Sequence, residues 1–186
     1  MENRILPLLL LIFCVACSSK LDKETYEKYR NSGQEITANV QAVLLSNVGK
    51  AIQTGGPEYA VEFCNLEAES IVDSLNGEFD CNISRVSAKN RNPNNALQTE
   101  QEKQMWQLFA EQPLADTLVE SGNNLIYYKP IRTGMPACLK CHGNTSTDIN
   151  AATKAKLEEL YPDDLATGYQ LNDFRGLWKV EFAKAK

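Results

Sequence analysis

Met135-Pro136-Ala137-Cys138-Leu139-Lys140-Cys141-His142-Gly143 decides how the rest of this chain is read. Its central five residues have the C-x-x-C-H spacing that attaches a c-type haem. Two thiols three positions apart can reach the two vinyl groups along one porphyrin edge. The next residue then brings its imidazole under the iron. His142 is also the only histidine among 186 residues. The motif therefore points to covalent haem c, one per chain, with thioethers at Cys138 and Cys141 and His142 as the proximal iron ligand.

Two other readings of the cysteines fit less well. A zinc site drawn from Cys64, Cys81, Cys138 and Cys141 would lack the second short knuckle that structural zinc sites use. A thioredoxin-like dithiol needs a preceding strand and a following helix in a βαβ setting. Here Pro136 precedes the cysteines and Gly143-Asn144 follows the histidine directly.

The remaining composition is that of one globular domain, 43% hydrophobic and 23% charged. A formal charge of -5 without a Lys/Arg cluster removes the electrostatic footprint of nucleic-acid binding. Residues 1–16 read as an export signal, with Arg4 as the positive region and Ile5 to Ala16 as an apolar core too short to span a bilayer. Cys14-Val15-Ala16-Cys17-Ser18-Ser19 resembles a bacterial lipobox, which makes Cys17 the expected lipidation site and lipid anchor, with a simple cleaved signal as the other possibility. Either places the mature protein outside the cytoplasm, in the periplasm or on the outer membrane, where bacterial c-type haem is attached. Residues 17–35 read as a membrane-proximal stalk and 36–186 as the haem-binding domain.

Along the chain, Leu21 to Thr54 is expected as one long helix, or two joined near Gly33, with Ile36, Val40, Val43, Leu44, Val48 and Ile52 at helical spacing. Gly55-Gly56 ends it and Pro57 opens the next helix, which Gly77 closes. Ala60, Cys64, Ala68, Ile71 and Leu75 form that helix's apolar stripe. Phe79 to Ser87 reads as a strand and Lys89 to Asn95 as a rigid loop, in which Arg91 is a candidate propionate contact. Thr99 to Glu102 matches a capping box, and Leu114 to Glu120 is expected as a short helix after Pro113. Leu125 to Ile131 is a strand that Pro130 either ends or confines to an edge, with Tyr127 and Tyr128 on opposite faces. Thr147 or Asp148 is expected to cap a helix to Leu160, and Leu177 to Ala183 closes the chain as a strand.

With one histidine, the sixth iron position is open, or filled by methionine, cysteine, lysine or a small ligand. Met105 lies on an apolar helix face, and Met135 is awkwardly close to Cys138. Cys64 and Cys81 are the candidate thiols, although a buried cysteine needs no function.

Arg91-Asn92-Pro93-Asn94-Asn95, Tyr128-Lys129-Pro130-Ile131, Cys138 to Gly143, Tyr161-Pro162-Asp163-Asp164, Ala166-Thr167-Gly168-Tyr169 and Arg175-Gly176 occur in that order. Together they resemble the extracytoplasmic c-type haem family domain, typified by a cyanobacterial cytochrome and also found as a sensor input in membrane-bound signalling proteins. The likeness runs from about Ile36 to Phe182. It implies an α+β fold, a PAS-like antiparallel sheet flanked by helices, here with a long N-terminal helix. It also implies a His/Cys axial pair whose cysteine comes from an early helix, where Cys64 stands as the distal ligand. Cys81, a second thiol, leaves that assignment open.

These readings favour an extracytoplasmic monohaem c-type cytochrome, of low potential because a thiolate ligand stabilises ferric iron, serving electron transfer or redox sensing. The alternative is a haem sensor module that reports a redox state or small gas, bound on reduced haem, to a partner protein. An enzyme is the least favoured reading, since no second histidine supplies distal acid/base chemistry.

Overall fold

The computed structural model describes residues 21–183; the stretch expected to be an export signal and Cys17, the expected lipidation site, lie outside them. Helix α1 (Lys23–Phe79) is followed by strand β1 (Asn82–Val86), a 3-10 turn at Pro93–Asn95 and helix α2 (Glu100–Glu111). Then come β2 (Thr117–Ser121), β3 (Asn124–Arg132), α3 (Pro136–His142), α4 (Ala151–Leu160) and β4 (Phe174–Ala183). The strands make one antiparallel sheet in the order β1-β4-β3-β2. The architecture is α+β, with the expected long helix at its N-terminal end. Among the described residues no helix is long and apolar enough to cross a membrane.

Helix α1 is two rods joined at Gly55-Gly56. Gly56 has φ 79°, a left-handed backbone that only glycine adopts without strain, and Pro57 starts the second rod. Both rods cover the same face of the sheet. Ile36, Val40 and Leu44 of the first and Ala68 and Val72 of the second are buried against Ile83, Leu125, Tyr127, Trp178, Val180 and Phe182. The helix passes straight through Gly33, because there the absence of a side chain lets the Tyr127 ring lie on the helix backbone. A β-carbon at that position would meet the ring's Cδ1 and Cδ2 at 2.6 and 2.7 Å. Gly77 does not end the helix either. The left-handed residue is Asp80 (φ 49°), a type that tolerates that conformation.

The stretch read as a stalk forms, from Lys23 onward, the first turns of α1. Tyr26 and Tyr29 pack on the core, and Arg30 Nε donates to Asp116 at 2.6 Å. The opposite sheet face carries Val86, Ile126, Tyr128 and Leu177, covered by Phe109 of α2. Four successive residues of β3, Leu125 to Tyr128, are thus buried on alternating sides. Strand β3 is interior to the sheet, so Pro130 does not mark an edge. It lies past Thr117↔Tyr128, where β2 pairing stops and no donor is required on that side.

Two other expectations are corrected. Leu114 to Glu120 contains strand β2 instead of a helix. Thr117 and Val119 are β-branched, the run is too short to nucleate a helix, and Gly122 at φ 56° closes a two-residue hairpin onto β3. Helix α4 is capped by Asn150, which accepts from the Thr153 N–H at 2.8 Å, and not by Thr147 or Asp148.

The capping box of α2 is present in full, and its Glu102 does more than cap. The carboxylate accepts from the backbone N–H of Gln98 and Thr99 and from Lys179 Nζ of β4 at 3.0 Å, fastening α2 to the sheet. Burial alone would raise its pKa, but those donors outweigh burial and hold it below 4.5. A carboxyl more acidic in the fold than in the unfolded chain stabilises the fold above that value, and the contribution is lost as pH falls through the depressed pKa. Urea titrations at pH 7 and pH 3.5 should therefore show the wild type losing more stability than Glu102→Gln, which is less stable by about 2 kcal/mol at pH 7. Equal losses in the two proteins would remove this role.

Candidate functional site

Helices α3 and α4 are set against the second rod of α1. Val61 is buried with Ile149, Leu157 and Tyr161, and Cys141 packs at the edge of this cluster. That packing brings the C-x-x-C-H segment beside the helix turn carrying Cys64. On α3, Cys138 and Cys141 are three positions apart, so they share one helix face, with His142 one turn beyond Cys138. The Cys138 N–H bonds the Met135 carbonyl at 2.9 Å, and Gly143 ends the helix by donating to Leu139 O at 2.8 Å.

A second segment fixes the histidine. The N–H groups of Gly168 and Tyr169 donate to the carbonyls of Gly143 and His142 at 2.8 and 2.9 Å, and Gly168 has a positive φ of 77°. The carbonyl of Ala166 lies 2.8 Å from His142 Nδ1. A carbonyl can only accept, so Nδ1 carries the proton and Nε2 keeps its lone pair. Burial, followed by the charges of Arg175 and Arg91, holds the imidazole pKa well below its usual value, so the ring is neutral at pH 7. Tyr169 meets the ring edge-on, 6.5 Å between centroids. His142 is thus oriented and in the tautomer that a metal ligand requires.

The imidazole opens into a cleft shared with Cys64, Arg85, Arg91, Tyr161 and Arg175. Burial raises the Cys64 pKa, while the three arginines pull it the other way. Burial likewise pushes the Cys141 thiol up to about 11. Arg91 reaches the cleft, but its guanidinium already serves as a brace: Nε and Nη2 are 2.9 Å from Asp164, and Nη2 also donates to the carbonyls of Cys141 and Ala166. It ties α3 to the loop that orients the histidine.

The other candidates are elsewhere. Cys81 is packed against the main core, and burial, then Asp80, pushes its thiol up to about 11. Fifteen residues of continuous helix separate Cys64 from Phe79, which puts the two thiols on the order of 20 Å apart. Both are free cysteines, and no disulfide joins them. Among the described residues no group of His, Cys, Asp or Glu is arranged to hold a metal ion, so the four-cysteine zinc arrangement is not assembled. Met105 packs in the core on the α2 face and Met135 is exposed. Tyr127 and Tyr128 are wholly buried core residues.

A family profile described as "Tll0287-like: Tll0287" matches residues 19–183. The chain belongs to the Tll0287-like family. Among solved structures, the cyanobacterial haem protein Tll0287 superposes with a TM-score of 0.64 at 21% identity, covering 89% of this chain and 99% of that one. At that identity the match shows the shared fold. Nothing matches among curated proteins.

Two further residues, Arg85 and Arg175, line the cleft without being singled out by any sequence motif for a role there. Arg85 is two residues from Ile83 in β1 and opposite Trp178, both of which face α1. An arginine at an inward parity of a strand was the available signal. Arg175, next to Gly176, was visible as part of a motif without a function attached.

Proposed function

We propose that this Tll0287-like chain is an exported c-type haem protein that exchanges electrons through one covalently held haem. The observation that carries this reading is the placement of an oriented, neutral imidazole and a cysteine thiol at one cleft, beside the two cysteines of a C-x-x-C-H helix. The description of the structurally similar Tll0287 as a haem protein supports it. So does the N-terminal composition, in which residues 1–16 read as an export signal followed by Cys17 as the lipidation site.

The residues present fit the group. Cys138 and Cys141 would supply the thioethers, His142 Nε2 the proximal ligand and Cys64 the distal one. Arg175 Nε, buried without a hydrogen-bond partner, is a donor awaiting an acceptor. When bound, the haem supplies a one-electron couple at its iron. The chain's own contributions are separate from that chemistry. Ala166 holds the Nδ1 proton, which makes Nε2 the donor atom. Arg91 and Asp164 fix the loop carrying Ala166. The second rod of α1 presents Cys64, and ligation requires that its thiol lose its proton.

The test is the absorption spectrum of the protein produced with c-type maturation machinery, oxidised and then reduced. A haem spectrum that persists after denaturing extraction is expected. A colourless protein, or one whose haem is extracted entirely, would sink the covalent reading. Carbon monoxide uptake by the reduced protein would favour gas sensing over electron carriage.

A further inference from the structure

Three arginines line the cleft, and their charges are not equally matched. Arg91 is paired with Asp164. Arg175 has a guanidinium Nε that is fully buried and has no hydrogen-bond partner. Arg85 makes no ion pair among the described residues; its guanidinium lies over the Trp178 ring at 5.9 Å. The nearby Glu69 carboxylate is engaged by the side-chain amides of Asn92 and Asn94 at 3.5 and 3.2 Å. A buried cation without a partner is costly, and the cost is removed when an anion arrives. Two guanidinium groups in one cleft suit a ligand with two carboxylates, each able to take a charge-assisted hydrogen bond.

We propose that Arg85 and Arg175 are a carboxylate clamp that binds the two propionates of the haem, while Arg91 braces the protein. This rests on the haem reading above and goes beyond it. The expectation that Arg91 meets a propionate is replaced by a division of labour: the arginine with a carboxylate partner holds the loop, and the two without one hold the ligand.

The experiment uses the full chain produced without haem-attachment machinery, titrated with ferric haem and with haem dimethyl ester, in which both propionates are masked. Quenching of tryptophan fluorescence reports binding, since Trp178 lies beside Arg85. Wild type should bind the free acid about tenfold or more tightly than the diester. Arg85→Gln and Arg175→Gln should each weaken free-acid binding about tenfold with little effect on the diester. Arg85→Lys and Arg175→Lys, which keep the charge, should recover part of the loss. Circular dichroism checks each fold, and if both glutamine variants fail to fold, the wild-type preference alone decides. Equal wild-type affinity for acid and diester would overturn the clamp. A wild type that binds neither ligand would also overturn the clamp as a site that recognises haem, whereas the haem reading itself falls only if the protein made with c-type maturation machinery is colourless, so the two failures are separable.

Discussion

Alanine at both Cys138 and Cys141 is expected to abolish haem that survives denaturing extraction, leaving at most a dissociable haem at the same cleft. The reason is the local geometry of α3, where the two thiols occupy one helix face and His142 follows directly, oriented by Ala166 at 2.8 Å. Each single alanine variant should keep one attachment point, and its reduced haemochrome band should shift toward that of a haem with one unreacted vinyl group. Burial raises the Cys141 thiol to about 11, so at neutral pH it is almost wholly protonated and a weak nucleophile. In wild-type chain made without attachment machinery the Cys141 thioether should therefore fail to form. Denaturing gel electrophoresis stained for haem peroxidase activity checks all four proteins. Full staining of the double variant would exclude thioether attachment at these residues.

How far the site could be read from sequence follows from how local each feature is. The C-x-x-C-H spacing, the capping box at Thr99 and Glu102 and the helix break at Gly55-Gly56 are fixed by residues within a few positions of each other. All three are legible. Placing Cys64 in the cleft depends on α4 docking through Leu157 and Tyr161 onto Val61, a contact across roughly a hundred residues that no window of sequence displays. Arg85 shares the parity of the apolar Ile83, but what it faces is set by how α1 and the segment carrying His142 pack there, which the strand alone does not display. Strand β2 is not legible for a related reason: a run from Leu114 to Glu120 has no strong period of its own, and pairing with β3 decides its state. The stretch before Gly33 looked like a spacer because its charges are read as solvated. Asp116, far along the chain, takes the Arg30 charge and fastens that turn to the domain.

Cys64→Ala is expected to change the optical spectrum of the oxidised haem-loaded protein, whereas Cys81→Ala should leave it as in the wild type. The two thiols are chemically alike, so position decides between them. Both thiols are half-buried against the main core, but Cys64 shares the cleft with His142 and Cys81 lies on the order of 20 Å along the helix. Loss of a thiolate ligand removes charge donated to ferric iron, so the midpoint potential of Cys64→Ala should rise on the order of 100 mV, a modest part of the roughly 0.8 V that axial ligands span. The same substitution opens a coordination position, and the oxidised variant should take up imidazole more readily than wild type. The pH dependence has a defined sign. In the ligand-free chain burial keeps the Cys64 thiol pKa above 9.0, so ligation must displace a proton and should strengthen as pH rises. Spectroscopic titration of the oxidised wild type from pH 5 to pH 9 should show the thiolate form growing with pH, a change absent from Cys64→Ala. If Cys81→Ala alone alters the spectrum, or if neither variant does, the distal position belongs to another group and the cleft holds Cys64 for packing.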